Sequence, residues 1–257
     1  MKLSIMMWIL IFGLVLTACG DGSTTQTEQD AGDLSTQQQA ELVAAALAAD
    51  QGGIEEDIAT VSRAARGELE QSTQAPGDPH GYTVSVTVDF FDADGNLQQA
   101  YDPDTTDRID YQSLVQGHIT NGTGFFRELQ IDNQSDFTME DILSQYVWIN
   151  GSHTNYSSYS RIQPLTNADV RFQLNSELIL TEVAVDLTAS DTFPESGTIE
   201  GGLSGSYERI ASNREQQRKF NFHFIATYLG DNTAEVELDD GTIFIVHLDS
   251  GSVQYQE

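Results

Sequence analysis

One cysteine, two lysines and five prolines are all that 257 residues contain of those types. A single thiol cannot close a disulfide within the chain. It cannot build a multi-cysteine zinc site or an iron–sulfur cluster either. Stability must come from buried apolar surface, and the length suffices for one sizeable core or two small ones. No apolar run reaches the about 20 residues that a bilayer-spanning helix needs. There is no HExxH, no Walker loop and no Ser-x-x-Lys. Gly202-Leu203-Ser204-Gly205-Ser206 begins like a nucleophile elbow and lacks its last glycine. Gly122-Thr123-Gly124 lacks the third glycine of a dinucleotide turn and reads as strand punctuation.

Positive charge is equally scarce. Eleven Lys and Arg stand against 40 Asp and Glu, for a net charge of −29. Such a surface repels nucleic acid and anionic headgroups, which argues against a nucleic-acid partner. The acid is scattered over every segment, as a high-salt habitat would favour, although cation binding would also use it. The bases are less even: Arg209, Arg214, Arg218 and Lys219 cluster. They read as a docking site for acidic loops, an anion site or a solvated loop.

What is present begins at the N-terminus. Lys2 supplies a positive start, Ile5 to Leu16 is uncharged and apolar, and Leu16-Thr17-Ala18 leads into Cys19. This order is that of a signal peptide. It resembles the lipobox of bacterial lipoproteins over residues 1–20. That resemblance implies cleavage after residue 18 and a diacylglyceryl thioether on Cys19, hence an exported protein held to a membrane by more than one acyl chain. It also implies that no free thiol remains. In the same class an aspartate directly after the cysteine retains the protein at the inner membrane. Here that position is Gly20, which favours the outer membrane in a Gram-negative cell.

Residues 19–34 are rich in small and polar types and read as a flexible tether. Residues 35–67 read as a helical hairpin. Ser35 and Gln38 have capping-box spacing, Ala40 to Ala49 is nearly all strong helix former, and Gly52-Gly53 breaks the run. Ile54, Ile58, Val61 and Ala65 then form one stripe, closed by Arg63, Arg66 and Gly67. Residues 68–80 read as a Pro/Gly/Gln linker, and residues 81–257 as an antiparallel β domain. The expected fold is mainly β, a sandwich or an open half-barrel.

Tyr82, Val84, Val86, Val88 and Phe90 alternate with polar residues, the mark of a half-buried strand. Further strands are expected near 97–101, 107–120, 124–132, 145–150, 169–175, 177–188, 198–211, 219–229, 233–239 and 242–248, with a helical turn within 139–145. Asp240-Gly241 reads as a two-residue hairpin turn that pairs Leu238 with Ile243 and Val236 with Ile245. Before it, a turn of Asp231-Asn232 or Gly230-Asp231-Asn232 is expected. Burial favours the longer loop, which sets Phe224 opposite Leu238 and Tyr228 opposite Ala234. The other face then carries Ile225, Phe244, Val246 and Leu248, and needs a cover.

Chemical candidates are few. Asp92, Asp94 and Asn96 have the 1-3-5 spacing of a calcium loop, but Leu97 and Pro103 stand at its sixth and twelfth places, so a hairpin turn explains them better. The five histidines, His80, His118, His153, His223 and His247, show no metal-pair spacing and read as structural. Tyr146, Trp148, Tyr156 and Tyr159 flank the polar run Asn150 to Asn155, a candidate contact surface or a long hairpin with a polar tip. No cofactor is called for. The chain thus reads as a lipid-anchored envelope protein acting as a non-catalytic binding or scaffold module. A curved sheet with a helical element over one face also loosely resembles carriers that hold a lipid or lipoprotein in an open half-barrel. A hydrolase using paired carboxylates is the other alternative.

Overall fold

The structure is a computed structural model that describes residues 34–49, 53–69, 73–75, 82–120, 127–163, 168–189, 193–211 and 214–255. Two helices lead, α1 (Thr36–Leu47) and α2 (Ile54–Ala65). The Ser35 hydroxyl accepts from the Gln38 amide at 3.3 Å, while the Gln38 side chain accepts from the Ser35 amide at 3.1 Å. This capping box satisfies two otherwise unpaired donors at the start of α1. Helix α2 begins at Gly53 without a side-chain cap and places Glu55, Glu56 and Asp57 in its first turn, where the helix dipole favours negative charge. Ile54, Ile58 and Val61 of its stripe are fully buried, each contributing about 1.5–3 kcal/mol.

The strands are β1 (Thr73–Ala75), β2 (Tyr82–Asp92), β3 (Leu97–Gln98), β4 (Thr106–Thr120), β5 (Glu128–Glu140), β6 (Tyr146–Gln163), β7 (Ala168–Asp186), β8 (Ser196–Ala211), β9 (Arg214–Gly230), β10 (Thr233–Leu238), β11 (Ile243–His247) and β12 (Val253–Tyr255). They form one antiparallel sheet in the order β1-β2-β4-β5-β6-β7-β8-β9-β10-β11-β12, with β3 paired to β2. β4 takes one edge of β2, so β1 and β3 share the other. Among the described residues β1 and β12 do not pair, so the sheet is open, and there is no second layer of strands. Within the segment read as a linker, residues 73–75 supply β1.

The helices share one core with the sheet. Two hydrogen bonds define how the sheet sits around them. Glu55 meets Tyr228 on β9, and Asp57, two residues on, meets Tyr111 on β4. A flat sheet would hold β4 and β9 about 24 Å apart, five strand spacings. The sheet therefore curls into a trough with α2 inside it.

Three expected features differ. First, the hairpin between β10 and β11 has the loop Asp239-Asp240-Gly241. Leu238 N–H donates to Thr242 at 3.0 Å, Gly241 N–H donates to Leu238 at 2.8 Å, and Gly241 has φ 80°. This three-residue loop ends in a left-handed glycine that Asp240-Gly241 alone does not account for. The extra residue slips the register by one, pairing Val236 with Phe244 and Ala234 with Val246. Phe244, Val246 and Leu248 are fully buried on the inner face, while Ile243 and Ile245 turn outward. Second, at the β9–β10 turn the expected register holds, Phe224 opposite Leu238 and Tyr228 opposite Ala234, yet the turn itself is Asp231-Asn232. Gly230 pairs with Thr233, and Leu229 is the extra, bulged residue that restores the register. Third, β6 and β7 are each continuous where a polar-tipped hairpin and two strands were expected. Residues 150–155 lie mid-strand in β6, and β7 absorbs a bulge at Thr181 and Glu182, the latter at φ 50°.

Candidate functional site

Two polar clusters interrupt the apolar inner face. The first is built on α2. Asp57 lies three residues after Ile54 and so falls on the buried stripe. Its Oδ1 accepts from the Tyr111 hydroxyl at 3.0 Å and from Ser113 Oγ at 3.3 Å. Its Oδ2 accepts from Ser135 Oγ at 2.6 Å and lies 3.4 Å from His153 Nδ1. Ser113, Ser135 and His153 are cross-strand neighbours on β4, β5 and β6, so register alone aligns them. Ser135 Oγ is also 2.8 Å from His153 Nδ1. The serine gives its one proton to Asp57, so Nδ1 carries the hydrogen and donates to Ser135. Burial pushes the Asp57 carboxyl up, but the hydrogen bond and charge of His153 and the bonds from Ser135 and Tyr111 outweigh it and hold it below its ordinary value.

Aspartate, histidine and serine are the materials of a nucleophilic triad, but this arrangement is not one. A relay places serine and carboxylate on opposite ring nitrogens. Here both lie at Nδ1, and Ser135 is fully buried. The cluster is a dock that fastens α2 to three strands. Its companion is Glu55, whose Oε1 accepts from the Tyr228 hydroxyl at 2.5 Å. Glu55 is buried, and its Oε2 has no partner among the described residues. Burial pushes its carboxyl up to about 8 against the opposing Tyr228 bond. Glu55 and Asp57 face different strands, so they do not form a carboxylate pair across one cleft.

The second cluster lies toward the other end of the trough, where the chain enters α1. Tyr159, Phe172, Tyr207 and Arg218 are successive inner-face neighbours on β6, β7, β8 and β9. In the next row Arg161 stands opposite Val170, and Val170 opposite Arg209. Tyr159 and Phe172 have ring centroids 5.5 Å apart, Phe172 and Phe220 6.5 Å, and Phe220 and Phe222 6.3 Å. Gly201 and Gly205 make room for this floor. A Cβ on Gly201 would meet the Phe224 ring at 2.4 Å, and one on Gly205 would meet the Phe220 ring at 2.6 Å and the Gln173 carbonyl at 2.1 Å. Gly205 of the run that began like a nucleophile elbow, and Gly201 just before that run, thus let phenyl rings lie across β8.

The remaining sequence candidates fall elsewhere. Cys19 and His80 lie outside the described residues. Asp92 Oδ1 accepts from the amides of Asp94 at 3.0 Å and Asn96 at 2.8 Å, so this carboxylate serves the β2–β3 turn. Among the described residues no group of three His, Cys, Asp or Glu side chains is placed to hold a metal. The four aromatics do not share a surface: Tyr146, Trp148 and Tyr156 point outward from β6 and Tyr159 inward. His118 pairs with Glu128 at 2.9 Å on the surface, and His223 lies 3.6 Å from Asp239. His247, which the expected hairpin register sets opposite Ala234, pairs with Thr233 through the same slip that moved Phe244.

Asp57, Ser135 and His153 escape a linear search because their spacing is long and irregular. The available signal was an acid on an apolar helical stripe. No family model, curated protein or solved structure matches this chain. Among the described residues no helix is long and apolar enough to cross a membrane.

Proposed function

We propose that this protein is a lipid-anchored component of a bacterial cell envelope that acts as a non-catalytic binding module, with the inner face of its trough as the binding surface. The observation that carries this reading is the sheet's form: one antiparallel layer, unclosed among the described residues, with helices on its inner face and an aromatic floor toward one end. The buried Ser135 and the shared Nδ1 of His153 favour binding over hydrolysis. A carrier that takes up and releases an apolar molecule is a second reading, favoured by the same open edge-to-edge gap.

Metabolic labelling with a fatty acid tests the anchor. Native chain is expected to incorporate label and sediment with membranes, and Cys19→Ala to do neither. Equal behaviour of the two would sink it. The binding role is tested by organic extraction of the purified native protein followed by mass spectrometry. A stoichiometric co-purifying molecule supports the module, and its absence, together with no ligand retained from an envelope extract, counts against it.

A further inference from the structure

We infer that the end of the trough from which α1 starts rests on the bilayer that holds the anchor, setting the exposed cations Arg127 and Lys219, with Arg209 and Arg218 at the rim, against anionic phospholipid headgroups. This rests on the anchor proposed above. It adds a second, electrostatic contact that fixes which end of the molecule faces the membrane.

Topology is the first ground. Arg218, four residues from the start of β9, donates to the side chain of Gln38 in the first turn of α1 at 3.3 Å. Past the other end of α1, Ala49 N–H donates to the Leu248 carbonyl and Leu248 N–H to that of Asn232, just beyond the far end of β9. The chain leading back from Leu34 to Cys19 therefore leaves the body at the end where β9 starts. Residues 19–33 number 15, which reach at most about 50 Å, whereas β9 alone has 17 residues and a length of about 55 Å. The near end meets the bilayer before the far end can.

Charge is the second ground. Acid is scattered along the sequence, but the fold sorts it. Residues 115–133, 156–175 and 204–221 form the near halves of β4 to β9 with their connections. They hold 7 of the chain's 11 basic side chains and 5 of its 40 acidic ones, which leaves +2 here and −31 on the rest of the chain. The near connections 121–126, 164–167 and 212–213 contain no charged residue, while those at the far end carry Asp94, Asp102, Asp104, Asp141 and Asp231. Four of the near acids are engaged: Glu128 by His118, Asp132 by Gln116, and Asp169 and Glu208 by Arg171. Among the described residues none of Arg127, Arg209, Arg218 and Lys219 is in an ion pair. Arg127 and Lys219 are exposed, so a headgroup reaches them without displacing any side chain.

Distance settles the balance against the large net charge. The field of an anionic leaflet fades within a Debye length, about 8 Å at physiological salt. The acidic far end stands several such lengths away and does not oppose the contact. The inverted orientation would press its aspartates onto like charge.

The test uses the native lipoprotein in nanodiscs of phosphatidylcholine, or of an equal mixture with phosphatidylglycerol. A fluorophore is attached through Gln217→Cys at the near end or Leu143→Cys at the far end, both exposed, and energy transfer to an acceptor lipid is measured. Transfer from position 217 is expected to exceed that from position 143 and to rise with phosphatidylglycerol, and 1 M NaCl is expected to reverse the rise. Each Lys or Arg at an anionic surface strengthens contact about fivefold, so R127Q/K219Q is expected to lower the docked-to-free ratio about 25-fold. Equal transfer from the two positions, or more from position 143, overturns the inference and leaves the anchor standing. So does transfer that ignores phosphatidylglycerol, which would leave Asp21, Glu28, Asp30 and Asp33 of the chain itself as the partners of these cations. Protein that stays on neither disc overturns the inference and the anchor together, and fatty-acid labelling reports that failure separately.

Discussion

Glu55 and Asp57 stand two residues apart in one helical turn and are driven in opposite directions. Glu55 is raised from 4.5 to about 8 by burial, which corresponds to about 5 kcal/mol of proton-linked stability. For a raised group this stability is full below pH 4.5 and is lost as pH climbs toward about 8. Asp57 is lowered, so its contribution is full above 3.8 and is lost as pH falls through its folded value. E55Q keeps the acceptor for Tyr228 without needing a proton. Urea denaturation of this variant is expected to lack the decline between pH 4.5 and 8 that the native chain shows. A parallel decline in both proteins would refute this account. Asp57→Asn weakens four contacts at once and is expected to cost about 3 kcal/mol at pH 7, read from the same curves. A loss within experimental error would mean that the dock does not hold α2.

Glycines on the two faces of β8 behave differently because their surroundings do. Gly205→Val is expected to cost more than about 3 kcal/mol, since its Cβ would press on backbone at 2.1 Å. Gly202→Ala meets only the edge of the His223 side chain at 3.2 Å, which can move, and its expected cost is below about 1 kcal/mol. Thermal melts of the two variants check this ordering. The strands themselves were unequally legible in sequence. Tyr82–Phe90 and Phe220–Tyr228 alternate cleanly, because their inner positions are all apolar or aromatic. β5 and β6 do not, because their inner face carries Ser135, His153 and Asn155, whereas β7 was legible on both sides of Ser176. Alternation cannot be seen where both faces are polar, so long strands read as loops. The hairpin at Asp239–Gly241 failed for a finer reason, since one residue of loop length reverses every side chain beyond it. Ser35, Gln38 and the stripe of α2 were readable because capping and helical period are local. Of the arginine cluster, Arg209 and Arg218 stood out by proximity, while Arg161 and Tyr207 joined them only through pairing.

A net charge of −29 on one body is a store of self-repulsion. Screening shortens its reach to about 3 Å at 1 M salt. The urea midpoint is therefore expected to rise steadily with NaCl at pH 7, and a midpoint that falls would show that specific ion pairs outweigh the repulsion. The exposed outer row Ile179, Glu200, Ile225, Glu237, Ile243 alternates apolar and acidic residues across five strands, so the isoleucines never merge into one patch. The edges are equally guarded, with only three residues each in β1 and β12.

Nearly every strand pairs with the one made just before it, so the sheet can extend in the order of synthesis. The helices cannot share that schedule. Glu55 waits 173 residues for Tyr228, and Gln38 waits 180 for Arg218. Helix α2 can dock on β4–β6 once His153 has emerged, but its Glu55 bond and the Gln38 bond of α1 wait until β9 has been made. Whatever escorts the nascent chain has those two helices to shelter.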